Sequence, residues 1–307
     1  MTAIVLPIYN QERHVRRALD SLLAQTDGAF AALCVDDGST DGTPGILAEY
    51  AAKDERFRVI TKPNGGVSSA RNAGLDAVRT LDGVDSVCFL DPDDFYHPQC
   101  LEVARTLAAA RPDAVLEWDF ASEDPEAFAA RRYEAAALGL QEGVRAPCVW
   151  NKIYPPAAVA DVRFCEASAI AEDIAFLVEV LHRHRPRHLR IPATLGFYVQ
   201  NPVSNMHRPL TRQDFVERRA VVERMVGALA DAPDERDAFC RDELPGLLKR
   251  FCRDLGRVTA TDRAAADAEF AGTLAALRRR GLLHPQRGSF KDLKYYLKFL
   301  WLSRGGM

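Results

Sequence analysis

Several absences bound this 307-residue chain before any motif is considered. No apolar stretch reaches the roughly 18 residues of a membrane span, so no transmembrane helix is expected. The N-terminus opens on the apolar segment 3–9, without a basic region or signal-type cleavage site. A secretory leader is therefore not expected, and the expected location is cytoplasmic. The seven cysteines (34, 88, 100, 148, 165, 240 and 252) form no CxxC pair, which argues for buried thiols in a reducing compartment. Neither sign of charge dominates: Lys and Arg total 40, Asp and Glu 43, and the net charge of −3 implies no nucleic-acid role. Neither GxGxxG nor GxxxxGK[ST] occurs, against dinucleotide and P-loop enzymes. There is no internal repeat.

What is present is a strand–helix alternation over the first 120 residues. Strands are expected at 3–9, 32–36, 57–61, 86–91 and 114–119, with helices near 12–25, 44–53, 67–80 and 98–110. Thr43-Pro44 reads as an N-cap and first helical residue. Such alternation predicts an α/β domain with right-handed crossovers and a mostly parallel sheet, whose ligands bind beyond the carboxyl ends of the strands. Residues 121–147 read as helix and loop, 150–156 as a turn, 169–184 as a helix, 194–199 as a strand and 200–208 as a polar loop. Residues 211–283 read as helical, which divides the chain into 1–208 and a C-terminal region 209–307.

Two strand ends are acidic. Asp91-Pro92-Asp93-Asp94 places three carboxylates within four residues after the apolar run 86–90. Like charges so close repel unless a cation joins them, and oxygen-only ligands suit Mn²⁺ or Mg²⁺. The second turn, Asp36-Asp37-Gly38-Ser39-Thr40-Asp41-Gly42, follows another apolar strand. Together they suggest a metal-dependent site for a nucleotide diphosphate. A sugar-nucleotide nucleotidyltransferase is the first alternative, but the place of its Gly-rich phosphate loop holds Asn10-Gln11-Glu12-Arg13. A non-catalytic nucleotide-binding module is the second.

Five segments in order carry a resemblance: Pro7-Ile8-Tyr9-Asn10, Val35 to Asp41, Asn64-Gly65-Gly66 through Arg71-Asn72, Phe89 to Asp94, and Glu172-Asp173. Over about residues 1–205 the chain resembles a family 2 glycosyltransferase of GT-A fold, with a Rossmann-like sheet and flanking helices. The resemblance implies an inverting, metal-dependent hexosyltransferase. It would take a sugar from a nucleotide diphosphate, UDP-linked by preference, to a glycan or lipid-linked acceptor hydroxyl in bacterial surface polysaccharide or lipopolysaccharide synthesis.

By that resemblance Asp94 ligates the metal with Asp93, which alternatively contacts the ribose, and Asp91 approaches the sugar. Asp36 accepts from the base's ring N–H, a contact that uracil and thymine offer equally. Pro7, Tyr9 and Asn10 border the nucleoside, and Asp37 shapes the second turn. Gly65 and Arg71, at the start of a helix, approach the base or diphosphate, since a helix N-terminus favours phosphate. Asp173 is the general base, taking the acceptor hydroxyl's proton. Glu172 points about 100° away around the helix. Trp150, Asn151 and Lys152 close over the donor, with Lys152 offsetting phosphate charge, and His207 is a further candidate metal contact. The patch His182 to Arg190 reads as solvated or as anion contacts. The tail 290–304 mixes aromatics with Lys and Arg, which fits either a peripheral membrane contact or packing on its own domain. Residues 211–307 are equally compatible with acceptor contacts or a homodimer interface.

Overall fold

A computed structural model describes residues 1–142, 148–168, 171–200, 208–234, 236, 240 and 244–282. His207 and the basic-aromatic tail lie outside them. The chain divides into two units: residues 1–166 with 184–201, and residues 167–183 with the segment from 202 onward.

The first unit holds β1 (Thr2–Ile8), α1 (Val15–Leu23), β2 (Phe30–Asp36), α2 (Thr43–Lys53), β3 (Phe57–Thr61), α3 (Val67–Val78), β4 (Ser86–Phe89), β5 (Phe95–Tyr96), α4 (Cys100–Ala109), β6 (Ala114–Ala121), α5 (Pro125–Ala130), β7 (Gln141–Glu142), β8 (Lys152–Tyr154) and α6 (Pro156–Val159). After α7 (Glu172–His184), which begins in the second unit, β9 (Arg187–Phe197) returns to the sheet. The strand order is β3-β2-β1-β4-β8-β6-β9-β5, with β7 also on β9.

The β3-β2-β1-β4 half is parallel throughout, as the alternation predicts. Strands β1 and β2 are buried along their whole length, which is why they read as continuous apolar runs. The edge strand β3 is mostly exposed. Helix α1 buries Val15, Ala18, Leu19 and Leu22, one stripe at helical spacing. Helix α3 packs tightly on β1: a Cβ on Gly74 would lie 2.3 Å from Val5 Cγ1.

The other half corrects the expected elements. It is mixed, because β8 runs antiparallel to both β4 and β6, and β9 runs parallel to β6. The segment expected as a turn at 150–156 contains β8. The expected strand 194–199 starts seven residues earlier, at Arg187, so part of the basic patch is a strand inside the sheet. The polar Arg and His residues mask its period; Leu189 and Ile191 face the core. Helix α2 starts at Thr43 with Gly42 as its N-cap, one residue before the expected position.

In the second unit, α8 (Arg212–Ala228), α9 (Leu244–Asp254) and α10 (Arg263–Arg279) surround a core that includes Val222, Met225, Leu248, Phe251, Phe270 and Leu274. Ala175 and Val178 of α7 join this core, so residues 167–183 leave the domain boundary expected at 208. Among the described residues no helix is long and apolar enough to cross a membrane. All seven cysteines are free thiols, and all but the partly buried Cys148 are buried.

Candidate active site

The site is built at the carboxyl edge of β1, β2 and β4, where the chain leaves the sheet in tight polar turns. At the end of β1, Tyr9 is exposed (46%) and Asn10 adopts a left-handed φ of 51°. Pro7 is buried in β1 beside Val35. The Asn10 side-chain oxygen accepts the Thr40 amide at 2.8 Å, and the Ser39 hydroxyl accepts the Asn10 amide at 3.0 Å. Asn10 thus clamps the acidic turn after β2.

Within that turn Asp36 Oδ1 accepts the Ser39 amide at 3.0 Å. Its carboxylate is buried at the strand end. Asp37 turns the other way. Its carboxylate accepts the Gly65 and Gly66 amides, the latter at 2.7 Å, and pairs with Lys62 Nζ at 2.5 Å. The two glycines are needed there: Gly66 has φ +85°, and a Cβ on Gly65 would lie 2.7 Å from Ser69 Oγ. These amides are engaged by protein, not directed at a phosphate as the helix N-terminus suggested. Asp37 is a structural clamp between two loops.

Helix α3 carries the connection onward. Arg71 is 2% exposed, donates to Asp91 Oδ1 at 2.9 Å, and lies 5.1 Å from the centroid of the Phe164 ring. Asn72 holds the same segment, donating to the Phe164 carbonyl and to Glu166. Asp91 in turn belongs to a tight turn in which the Asp94 amide donates to the Asp91 carbonyl at 3.1 Å. Arg17 of α1 donates to the Asp93 carbonyl.

Asp94 is 2% exposed, and its Oδ1 accepts the Val199 amide at 2.8 Å. Burial, and then the charge of Asp91, push its carboxyl up to about 8, with Asp93 adding to the effect and Arg17 opposing it. A buried carboxyl beside two others is electrostatically unfavourable, and a cation would relieve it. The structure therefore brings Asn10, Asp36, Asp37, Gly65, Arg71, Asp91, Asp93 and Asp94 to one edge of the sheet, held by local hydrogen bonds.

Lys152 is not part of that edge. It is fully buried, pairs with Glu117 at 3.0 Å, and donates to the Cys148 carbonyl and the Asn151 side chain. Register explains this: Lys152 of β8 lies opposite Glu117 of β6. Its ammonium neutralises an internal carboxylate, so the expected phosphate contact is replaced by an ion pair inside the sheet. Glu172 and Asp173 open α7 in the second unit. His188 and Arg190 are likewise not solvated anion contacts: the His188 ring nitrogens are buried without hydrogen-bond partners, and Arg190 pairs with Asp119.

The sequence carried no signal for Arg17, which looks like any helix-surface arginine, or for Val199, which acts through its backbone amide. Tyr96 was also missed. Its hydroxyl donates to the Phe89 carbonyl at 2.7 Å and fixes the strand leading to Asp91.

Residues 3–155 match the protein family described as Glycosyl transferase family 2. The chain is 32% identical over 162 residues to the putative glycosyltransferase EpsH of Bacillus subtilis (strain 168), covering 50% of this chain and 46% of that protein. It is 44% identical over 100 residues to the succinoglycan biosynthesis protein ExoW of Rhizobium meliloti (strain 1021), covering 32% and 31%. The chain thus spans less than half the length of these relatives. Its fold is that of S. aureus TarS 1-349 in the crystal structure with UDP-GlcNAc. The TM-score is 0.66 at 18% identity, over 99% of this chain and 92% of that one.

Proposed function

This chain belongs to glycosyltransferase family 2 with the GT-A fold, and we propose that it is an inverting hexosyltransferase using a nucleotide diphosphate sugar. The observation that carries the reading is the set of hydrogen bonds that holds the two acidic turns at one sheet edge: Asn10 with Thr40, Asp37 with Gly66, Arg71 with Asp91, and Asp91 with Asp94. They place the polar turns after β1 and β2 beside the carboxylate turn after β4. Asp36 suits the N3–H of uracil or thymine. The complexes of TarS with UDP-GlcNAc and UDP favour a UDP-linked donor.

A divalent ion, Mn²⁺ or Mg²⁺, fits the donor set. Asp94 and Asp93 offer only oxygen, and Asp94 is held in a position that favours a cation. Among the described residues no three Asp, Glu, His or Cys side chains converge on one point. Asp94 and Asp93 would hold the ion. When bound, the ion neutralises the charge of the departing diphosphate. Asp173 is assigned the proton of the acceptor hydroxyl, on the sequence resemblance and on its place in the first turn of α7. An acceptor in polysaccharide synthesis is suggested by the similarity to the succinoglycan biosynthesis protein ExoW.

The test is a thermal-shift series with UDP, dTDP, GDP, CDP and ADP, each with and without Mn²⁺. A ligand of the folded state raises Tm. The expected result is a shift with UDP that requires Mn²⁺. A shift with dTDP alone changes the donor base, and no shift with any nucleotide overturns the reading.

A further inference from the structure

Among the described residues the exposed large hydrophobic side chains are Tyr9, Leu23, Val59 and Phe120. Two of the four are aromatics at the carboxyl edge of the sheet. Tyr9 closes β1 beside the Asp36 turn. Phe120, 44% exposed, closes β6 on the other side of the Asp91–Asp94 turn. Strand directions establish this: β8 is antiparallel to β4 and to β6, so β6 runs with β4 and β1, and β9 runs with β6. Along the edge the order is therefore nucleoside turn, carboxylate turn, Phe120.

Phe120 is not alone. Its ring lies 4.9 Å from that of Trp150 and 6.2 Å from that of Tyr198, and Trp150 stacks on Tyr198 at 6.0 Å with an interplanar angle of 19°. Gly196 leaves the indole its place, since a Cβ there would lie 3.2 Å from the Trp150 ring. The cluster borders the carboxylates directly: the residue after Tyr198 donates its amide to Asp94 Oδ1. Burial raises the Tyr198 phenol above its usual range, and the charges of Asp94, Asp93 and Asp91 raise it further.

We propose that the exposed Phe120 and the half-buried Tyr198, backed by the buried Trp150, form a platform for a sugar ring of the acceptor, beside the carboxylate turn. This rests on the transferase reading above. A pyranose has an apolar C–H face and a rim of hydroxyls. An aromatic face next to carboxylates complements both, in the way mostly apolar binding sites use a few placed polar groups. The acceptor is the occupant because Phe120 is exposed and lies across the carboxylate turn from the nucleoside end. A donor sugar, tethered through its diphosphate, has to be shielded from water to avoid hydrolysis.

The experiment uses saturation-transfer NMR on the full chain with UDP and Mg²⁺ bound. The probes are methyl β-D-glucopyranoside, methyl β-D-galactopyranoside and N,N′-diacetylchitobiose. At least one probe is expected to saturate on its ring C–H protons. Phe120→Ala should weaken that probe roughly fivefold, the scale of one lost stacking contact. Phe120→Tyr should restore it, and UDP affinity by calorimetry should stay within about twofold in both variants. The proposal is overturned if no probe saturates on the UDP-bound protein, or if Phe120→Ala binds the probe like wild type. It is also overturned if Phe120→Ala weakens UDP-GlcNAc while leaving UDP and the probes unchanged, which would assign the platform to the donor. Absence of UDP binding by the wild type would instead overturn the transferase reading itself.

Discussion

Arg71 and Asp91 meet in a 2.9 Å ion pair that fastens helix α3 to the carboxylate turn. Arg71 is nearly inaccessible while Asp91 keeps 25% of its side-chain surface in solvent. Breaking a fully buried pair costs about 3–5 kcal/mol. Partial exposure of Asp91 lowers the expectation for Arg71→Ala to roughly 2 kcal/mol. Urea unfolding measures it, and Arg71→Lys should not recover the loss, because an ammonium lacks the planar face set over Phe164. A variant as stable as wild type would show that the pair does not hold the turn.

Asp94→Asn separates stability from function. The change removes a buried carboxyl crowded by Asp91 and Asp93, so Tm without metal should stay the same or rise. The further rise on adding UDP with Mn²⁺ should disappear, together with Mn²⁺-dependent release of UDP from a UDP-sugar. Retention of either metal effect would take Asp94 out of the metal shell.

Asp173→Asn should lower turnover by roughly 10²–10⁴-fold, the usual worth of a general base. UDP affinity should change little. Single-turnover kinetics alongside calorimetry checks both, and normal turnover would end the assignment.

The Lys152–Glu117 pair sets a different expectation. Lys152→Met leaves a carboxylate in the sheet interior and should cost about 3–5 kcal/mol in denaturant unfolding. The double variant Lys152→Met with Glu117→Leu should recover most of it, since an apolar pair replaces a buried ionic one at little cost. If the double variant is as unstable as the single one, the damage lies in packing and not in charge.

His188 gives the pH dependence. Burial, with the Lys152 charge adding to it, pushes the ring down to about 3, against an ordinary value near 6.5. The unfolded chain therefore binds a proton that the folded chain refuses between those values. Stability associated with His188 is intact above about pH 6.5 and is lost as pH falls toward 3, at up to about 1.4 kcal/mol per pH unit. His188→Phe should flatten that slope between pH 6.5 and 4 in chemical denaturation. An unchanged slope would place the acid sensitivity elsewhere.

The sequence by itself determined the parallel half of the sheet and the positions of the two acidic turns. These depend on local facts: continuous apolar runs for β1, β2 and β4, an amphipathic stripe for α1, and Asp and Gly at the strand ends. Tertiary structure decided which of those residues spend their polar groups on one another. Gly65 and Lys152 read as ligand contacts in one dimension, yet the Gly65 amide closes on Asp37 and Lys152 on Glu117. Both follow from pairings between segments far apart in sequence, which no local pattern encodes. The same holds for β8 and β9, whose polar residues face partners on β6, and for Asp173, whose helix packs with the C-terminal core. The cluster of Phe120, Trp150 and Tyr198 is the last such case: three residues from three segments meet only because β6 and β9 end, and the antiparallel β8 begins, at one edge.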